Sequence, residues 1–104
     1  TGMIEKQAAM TMIQESLDSL FRSGTLNVQL TADEGLVLMG GGSEERLDSL
    51  GFVNFIMDLE ERLEDAIGNE APITLTEIDG FDVNNPILTT STLADYMVKI
   101  AGNS

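Results

Sequence analysis

The stretch from Ser49 to about Ile67 constrains this chain most, because its apolar residues recur at three- and four-residue intervals with no proline to interrupt them. Asp48-Ser49 stand before it as candidate caps and Gly68-Asn69 follow it as a stop, so the spacing predicts one long helix. On a wheel at about 100° per residue, counted from Leu50, the residues Phe52, Phe55, Ile56, Leu59, Leu63, Ala66 and Ile67 fall between about 140° and 260°. That arc is the face expected to be buried. Leu50, Val53 and Met57 fall nearly opposite, among Asn54, Asp58, Glu60, Glu61, Glu64 and Asp65. Apolar residues framed by carboxylates make a docking surface for a partner that is apolar at its centre and basic at its rim. A helix sandwiched inside a bundle, with an ordinary solvated acidic face, would carry the same pattern.

Four further segments can be placed around it. Residues 3 to 22 read as a helix, with Ile13, Leu17, Leu20 and Phe21 on one stripe and Glu5, Lys6, Gln14, Glu15 and Asp18 opposite, ended by Ser23-Gly24. From Thr25 to Arg46 the helical period is lost and the chain reads as a long ordered loop. Leu26, Val28 and Leu30 alternate there, which leaves open a short strand over residues 26 to 30 paired with Ile73 and Leu75. The polar stretch holding Pro72, Asp79-Gly80 and Pro86 has room for one short helix near Asn85 to Thr89. A last helix begins at Ser91 or Thr92, with Asp95 at capping-box spacing from Thr92, and runs through Leu93, Tyr96, Met97 and Ile100 to Gly102.

Composition excludes more than it assigns. With 104 residues, 42% of them hydrophobic, the chain fits one domain, expected over residues 3 to 102 with Thr1-Gly2 as a tag remnant. No Cys and no His are present. Disulfides, thiolate nucleophiles, imidazole bases and imidazole metal sites are therefore excluded. Eighteen acidic residues against five basic ones give a net charge of −13, which makes nucleic acid and anionic membranes poor partners. A mean hydropathy of +0.05 argues against disorder. The longest apolar runs, such as Leu36 to Met39, are far too short to span a bilayer, and the first residues lack the pattern of a secretory signal, so a cytoplasmic protein is expected. Between Glu44 and Asp82 twelve acidic residues face two basic ones, so ten of the thirteen net negative charges gather there. Self-repulsion at that density opposes folding, and its tolerance suggests a binding use.

Weaker motifs fall away on inspection. Asp79, Asp82 and Asn84 resemble a calcium loop but lack its glycine and its closing glutamate at the required positions. Gly40-Gly41-Gly42 has no lysine after it, as a phosphate-binding loop would need. Ser49, at the predicted helix start, has free backbone N–H groups and the positive end of the helix dipole beside it, which favour a phosphate ester on its hydroxyl. It fails as a triad nucleophile, because Leu47-Asp48-Ser49-Leu50-Gly51 is not a nucleophile elbow and no histidine exists to act as base. Chemistry at Ser49 has to be done to it, unless its role is only to cap the helix.

Asp48-Ser49-Leu50, followed by Gly-Phe-Val-Asn-Phe-Ile-Met-Asp-Leu-Glu-Glu-Arg-Leu-Glu, resembles the acyl carrier protein family, whose hallmark is Asp-Ser-Leu at the start of an acidic second helix. The likeness covers about Glu45 to Gly68, and Thr92 to Ile100 is similar to the family's closing helix. The resemblance implies an all-α, up-and-down four-helix bundle with a short third helix and long loops. It implies that Ser49 carries 4′-phosphopantetheine, delivered by a phosphopantetheinyl transferase, whose terminal thiol holds acyl groups as thioesters. Asp48 and Leu50 would flank the attachment point, with Asp48 contacting the transferase or its metal. Leu50, Val53 and Met57 would touch partner enzymes that load and process the acyl group, while Glu60, Glu61 and Glu64 would meet basic patches on them. Phe52, Phe55, Ile56 and Leu59 would line a shelter for the acyl chain.

The chain departs from the family where Gly51 stands in place of a frequent acidic residue, and where the connections from Ser23 to Asp48 and from Gly68 to Ser91 run long. These extensions imply a specialised carrier. The peptidyl-carrier motif suggested by Gly40-Gly41-Gly42-Ser43 is broken by Glu44 and lies too far before the helix. The expectation is a monomeric, non-enzymatic acyl carrier serving fatty-acid, lipid or polyketide-type biosynthesis. An aminoacyl or D-alanyl carrier and an unmodified acidic interaction module stand as alternatives.

Overall fold

The structure, a computed structural model, describes residues 4–40, 47–78, 81, 82, 84 and 86–102, with Ser49 described by its backbone. Three helices carry the fold: α1 (Lys6–Arg22), α2 (Ser49–Ile67) and α3 (Thr90–Gly102). Between them lie two short strands, β1 (Val37–Met39) and β2 (Leu88–Thr89), and a 3₁₀ turn at Leu75–Glu77. The protein is thus mostly helical, and its radius of gyration of 12.8 Å is that of a compact domain.

Helix α1 buries Ala9, Ile13, Ser16, Leu17 and Leu20, the i, i+4, i+7, i+8 stripe that its period demands. It ends where Ser23 donates to the Ser19 carbonyl and Gly24 takes a left-handed φ of 85°, while Thr25 and Leu26 both donate to the Leu20 carbonyl. Two details differ from the sequence reading. The helix starts at Lys6 rather than at Met3, which lies outside the described residues, and Phe21, at 39% exposure, has turned off the core stripe. α1 packs against both α2 and α3, which meet each other only sparingly, so it lies between the other two helices.

Helix α2 runs as the wheel predicts. Phe52, Phe55, Leu59, Leu63 and Ile67 are buried and Ile56 is half-buried. Each such side chain contributes about 1.5–3 kcal/mol of transfer free energy. Ala66 is the exception, being exposed although Ile67 beside it is buried. Gly68 stops the helix in a left-handed conformation, φ 76°, and donates to the Glu64 carbonyl.

The sheet overturns two expectations. β1 pairs antiparallel with β2, Val37 opposite Thr89 and Met39 opposite Leu88, with a bulge between the two pairs. Leu38 and Leu88 point fully into the core, and Thr90 and Ser91 prolong the pairing by donating to the carbonyls of Leu36 and Glu34. No strand forms over residues 26 to 30. There Leu26 and Leu30 are separate buried anchors of a loop whose Val28 is 58% exposed, and Ile73 and Leu75 belong to other structure. The expected short helix near residues 85 to 89 is likewise replaced, since Leu88–Thr89 is strand and Pro86 and Ile87 precede it in irregular chain. Pro86 has no N–H to give a helix, and pairing with β1 satisfies the following residues instead. Asn85 lies outside the described residues. Among the described residues the helices therefore number three rather than four.

Gly40 closes β1 with φ 81°, and a side-chain carbon there would coincide with the Pro86 carbonyl. α3 opens one residue before the expected window. Its cap is Thr89, whose Oγ1 accepts from the Thr92 N–H at 3.3 Å, and Asp95 is not part of a capping box. Asp95 instead pairs with Lys6 across α1 and α3, at 3.3 Å.

Candidate functional site

The start of α2 is built by its neighbours in sequence. Asp48 is extended, with φ −77° and ψ 177°, and its Oδ1 accepts from the Gly51 N–H at 2.6 Å while its carbonyl accepts from Phe52. This is the N-cap geometry, and it assigns capping to Asp48. Ser49 is the first residue of the helix proper, so the reading in which Ser49 caps α2 is corrected. Gly51 is buried beneath the cap, and a Cβ there would lie 2.9 Å from Asp48 Oδ1.

Beside the cap runs an apolar groove of about 540 Å³, within the range of small-ligand sites, about 300–1,000 Å³. Asp48, Phe52, Val53, Ile56 and Met57 form one wall, and Met39, Gly40, Ile73, Leu75 and Pro86 the other. A smaller hollow of about 280 Å³, lined by Thr25, Leu26, Asn27 and Val28, also borders Asp48.

The sequence-predicted residues divide into two groups. Leu50, Val53 and Met57 are 70%, 52% and 60% exposed, as large apolar side chains rarely are on one helix face, and Val53 and Met57 also border the groove. Glu61 is exposed beyond them. Glu60 and Glu64 are half-buried and face the chain that follows α2: Glu60 Oε2 accepts from the Ile73 N–H at 2.6 Å and Glu64 Oε2 from the Ala71 N–H at 3.0 Å. Of the residues expected to line an interior shelter, Phe52 and Ile56 reach the groove, whereas Phe55 and Leu59 are wholly buried in the core.

The far wall was missed by sequence reasoning, because Met39, Ile73, Leu75 and Pro86 come from three separate segments with no shared period. An apolar residue flanked by prolines or glycines, as at Ile73 and Met39, was the one available signal.

Among the described residues no group of three acidic side chains could hold a metal ion. Asp82 Oδ1 accepts from the Asn84 N–H in a local turn, and Asp79 lies outside the described residues, as do Gly41, Gly42 and Ser43. Among the described residues no helix is long and apolar enough to cross a membrane. No protein-family model, curated protein or solved structure matches this chain.

Proposed function

We propose that this protein is a specialised acyl carrier protein in which Ser49 bears 4′-phosphopantetheine. The observation that supports the reading is that α2 opens at Ser49 with its cap supplied by Asp48, beside an apolar groove and an exposed apolar trio. Because Asp48 supplies the cap, Ser49 is not required for it, and the helix dipole at the first turn favours a phosphodiester. The groove fits an apolar chain tethered next to Asp48, since nine of its ten lining residues are apolar or glycine. When attached, the arm would supply the thiol that a chain without cysteine lacks.

The protein's own part is to hold and to present. Phe52, Val53, Ile56, Met57, Ile73 and Leu75 would screen an apolar cargo from water, and Asp48 would fix the orientation of the first turn. Leu50, Val53 and Met57 would bury against the transferase and the acyl-loading and acyl-processing enzymes, with Glu60, Glu61 and Glu64 answering their basic patches. In this reading the fold is an up-and-down bundle of three long helices, with the Leu75–Glu77 turn in place of a short third helix. The protein acts in the cytoplasm, as a monomer and without catalysis of its own.

Intact mass after co-expression with a phosphopantetheinyl transferase tests the proposal. A gain equal to one phosphopantetheinyl group, lost in Ser49→Ala, is expected. An unchanged mass overturns it in favour of an unmodified acidic interaction module. Which loading enzyme then acylates the thiol separates a fatty-acyl carrier from an aminoacyl or D-alanyl carrier.

A further inference from the structure

After α2 the chain crosses Ala71 to Thr74 without helix or strand, yet Ala71 and Ile73 are buried, so their backbone N–H groups need partners. Side chains supply all of them. Ala71 donates to Glu64 Oε2 at 3.0 Å, Ile73 to Glu60 Oε2 at 2.6 Å and Thr74 to Tyr96 Oη at 3.3 Å, while Pro72 has no N–H. This strap continues into Ile73 and Leu75, which face Phe52, Val53, Ile56 and Met57 across the groove. The Ile73–Leu75 part of one groove wall is therefore fastened to α2 by two carboxylates that lie on its acidic side and are half-buried rather than sealed.

We propose that Glu60 and Glu64 form a latch, and that a partner presenting arginine releases it, withdrawing Ile73 and Leu75 from the groove. The inference rests on the part of the proposed function in which a basic partner docks on these carboxylates. A guanidinium binds a carboxylate through both oxygens, so it draws on the Oε2 atoms that hold the strap. A neutral backbone N–H is the weaker competitor for a carboxylate. Lysine, a single point charge, can settle on the free oxygen and leave the strap in place. Release removes apolar contact from whatever fills the groove, so docking on the acidic side weakens the hold on cargo at a distance from the point of docking.

Amide hydrogen exchange on the full chain in the Ser49→Ala background, which can carry no arm, tests the latch. Hexa-arginine is expected to speed exchange at Ala71 and Ile73 about tenfold, the scale of one lost charge-assisted hydrogen bond. The core amide of Leu17 should be unmoved, and hexa-lysine should have a clearly smaller effect. Glu60→Ala with Glu64→Ala should speed the same two amides without any peptide and weaken binding of an apolar fluorescent dye in the groove. Glu60→Gln with Glu64→Gln keeps the acceptor oxygens, so the strap stays closed and hexa-arginine no longer moves it. Exchange at Ala71 and Ile73 indifferent to hexa-arginine, or equal responses to the two peptides, overturns the latch. The mass gain at Ser49 is read separately, so failure of the carrier assignment and failure of the latch are distinguishable.

Discussion

Two irregular stretches flank α2, residues 23–36 before it and 69–74 after it, and different chemistry fastens each. The first is held by a neutral amide on α1: Gln14 Nε2 donates to the Leu30 carbonyl at 2.9 Å, and its Oε1 accepts from the Ala32 N–H at 2.7 Å. The second is held by carboxylates of α2, Glu60 and Glu64. Both stretches also bury apolar anchors, Leu26 and Leu30 in one, Ala71 and Ile73 in the other. The contrast teaches that equal burial does not mean equal permanence. A neutral amide clamp carries no charge for a cation to seek, whereas a carboxylate clamp answers to every cation near it.

Removing the anchors gives the largest effect and should not distinguish the two stretches. Leu30→Ala and Ile73→Ala should each destabilise the protein by about 2–5 kcal/mol in urea unfolding, through lost transfer energy and the cavity left behind. A cost near zero at either site would mean that its stretch is not part of the cooperative fold.

Removing the clamps comes next and should separate them. Gln14→Ala and Glu60→Ala each strand a backbone N–H, at a cost of about 1–3 kcal/mol. Glu60→Ala also lowers the charge of a chain at −13, and relief of repulsion offsets part of its cost at low ionic strength. Its deficit should therefore widen as salt rises, while that of Gln14→Ala stays level across the same titration. Parallel salt curves for the two variants would break the comparison.

The cap between the stretches is a smaller matter. Asp48→Ala should lose about 1 kcal/mol, and Asp48→Asn, which keeps an acceptor, should lose almost none by the same unfolding assay.

Among the described residues the first stretch has one ion pair, and it sharpens the contrast because it is exposed. Lys6 Nζ lies 3.3 Å from Glu34 and from Asp95 and donates to Ser91 Oγ at 2.9 Å. The hydrogen bond to Glu34, with that to Asp95, holds its ammonium above the ordinary lysine value. A raised folded-state pKa gives a contribution that is complete below the unfolded value and lost as pH rises through the folded one. The contribution of Lys6 should thus be complete and independent of pH around neutrality and decline only above about pH 10. Lys6→Met should flatten that alkaline decline in a series of thermal melts.

Much of this was legible in the sequence, for definite reasons. α2 could be read to within its caps because period, Asp48 and Gly68 agree, and the exposed positions of Leu50, Val53 and Met57 follow from that period. The strands could not be read, because five residues separated by about fifty positions carry no periodic signal and pair only once tertiary contact is made. Gln14 and Glu60 were placed by polarity on solvent-facing arcs. Polarity cannot reveal that a nearby irregular backbone needs an acceptor, and that need turned both residues inward. The groove is half legible for the same reason: its α2 wall follows from the wheel, and its far wall from the unforeseen paths of residues 39–40, 73–75 and 86.

The crossing at Gly40 sets a condition on descent. Copies of this gene could shed acids from α2 one by one and still fold, but none could replace one of the two hydrogens at position 40 with a methyl without driving it into the Pro86 carbonyl, just ahead of β2. A descendant that has drifted almost everywhere, and kept this shape, would still be recognisable by that glycine.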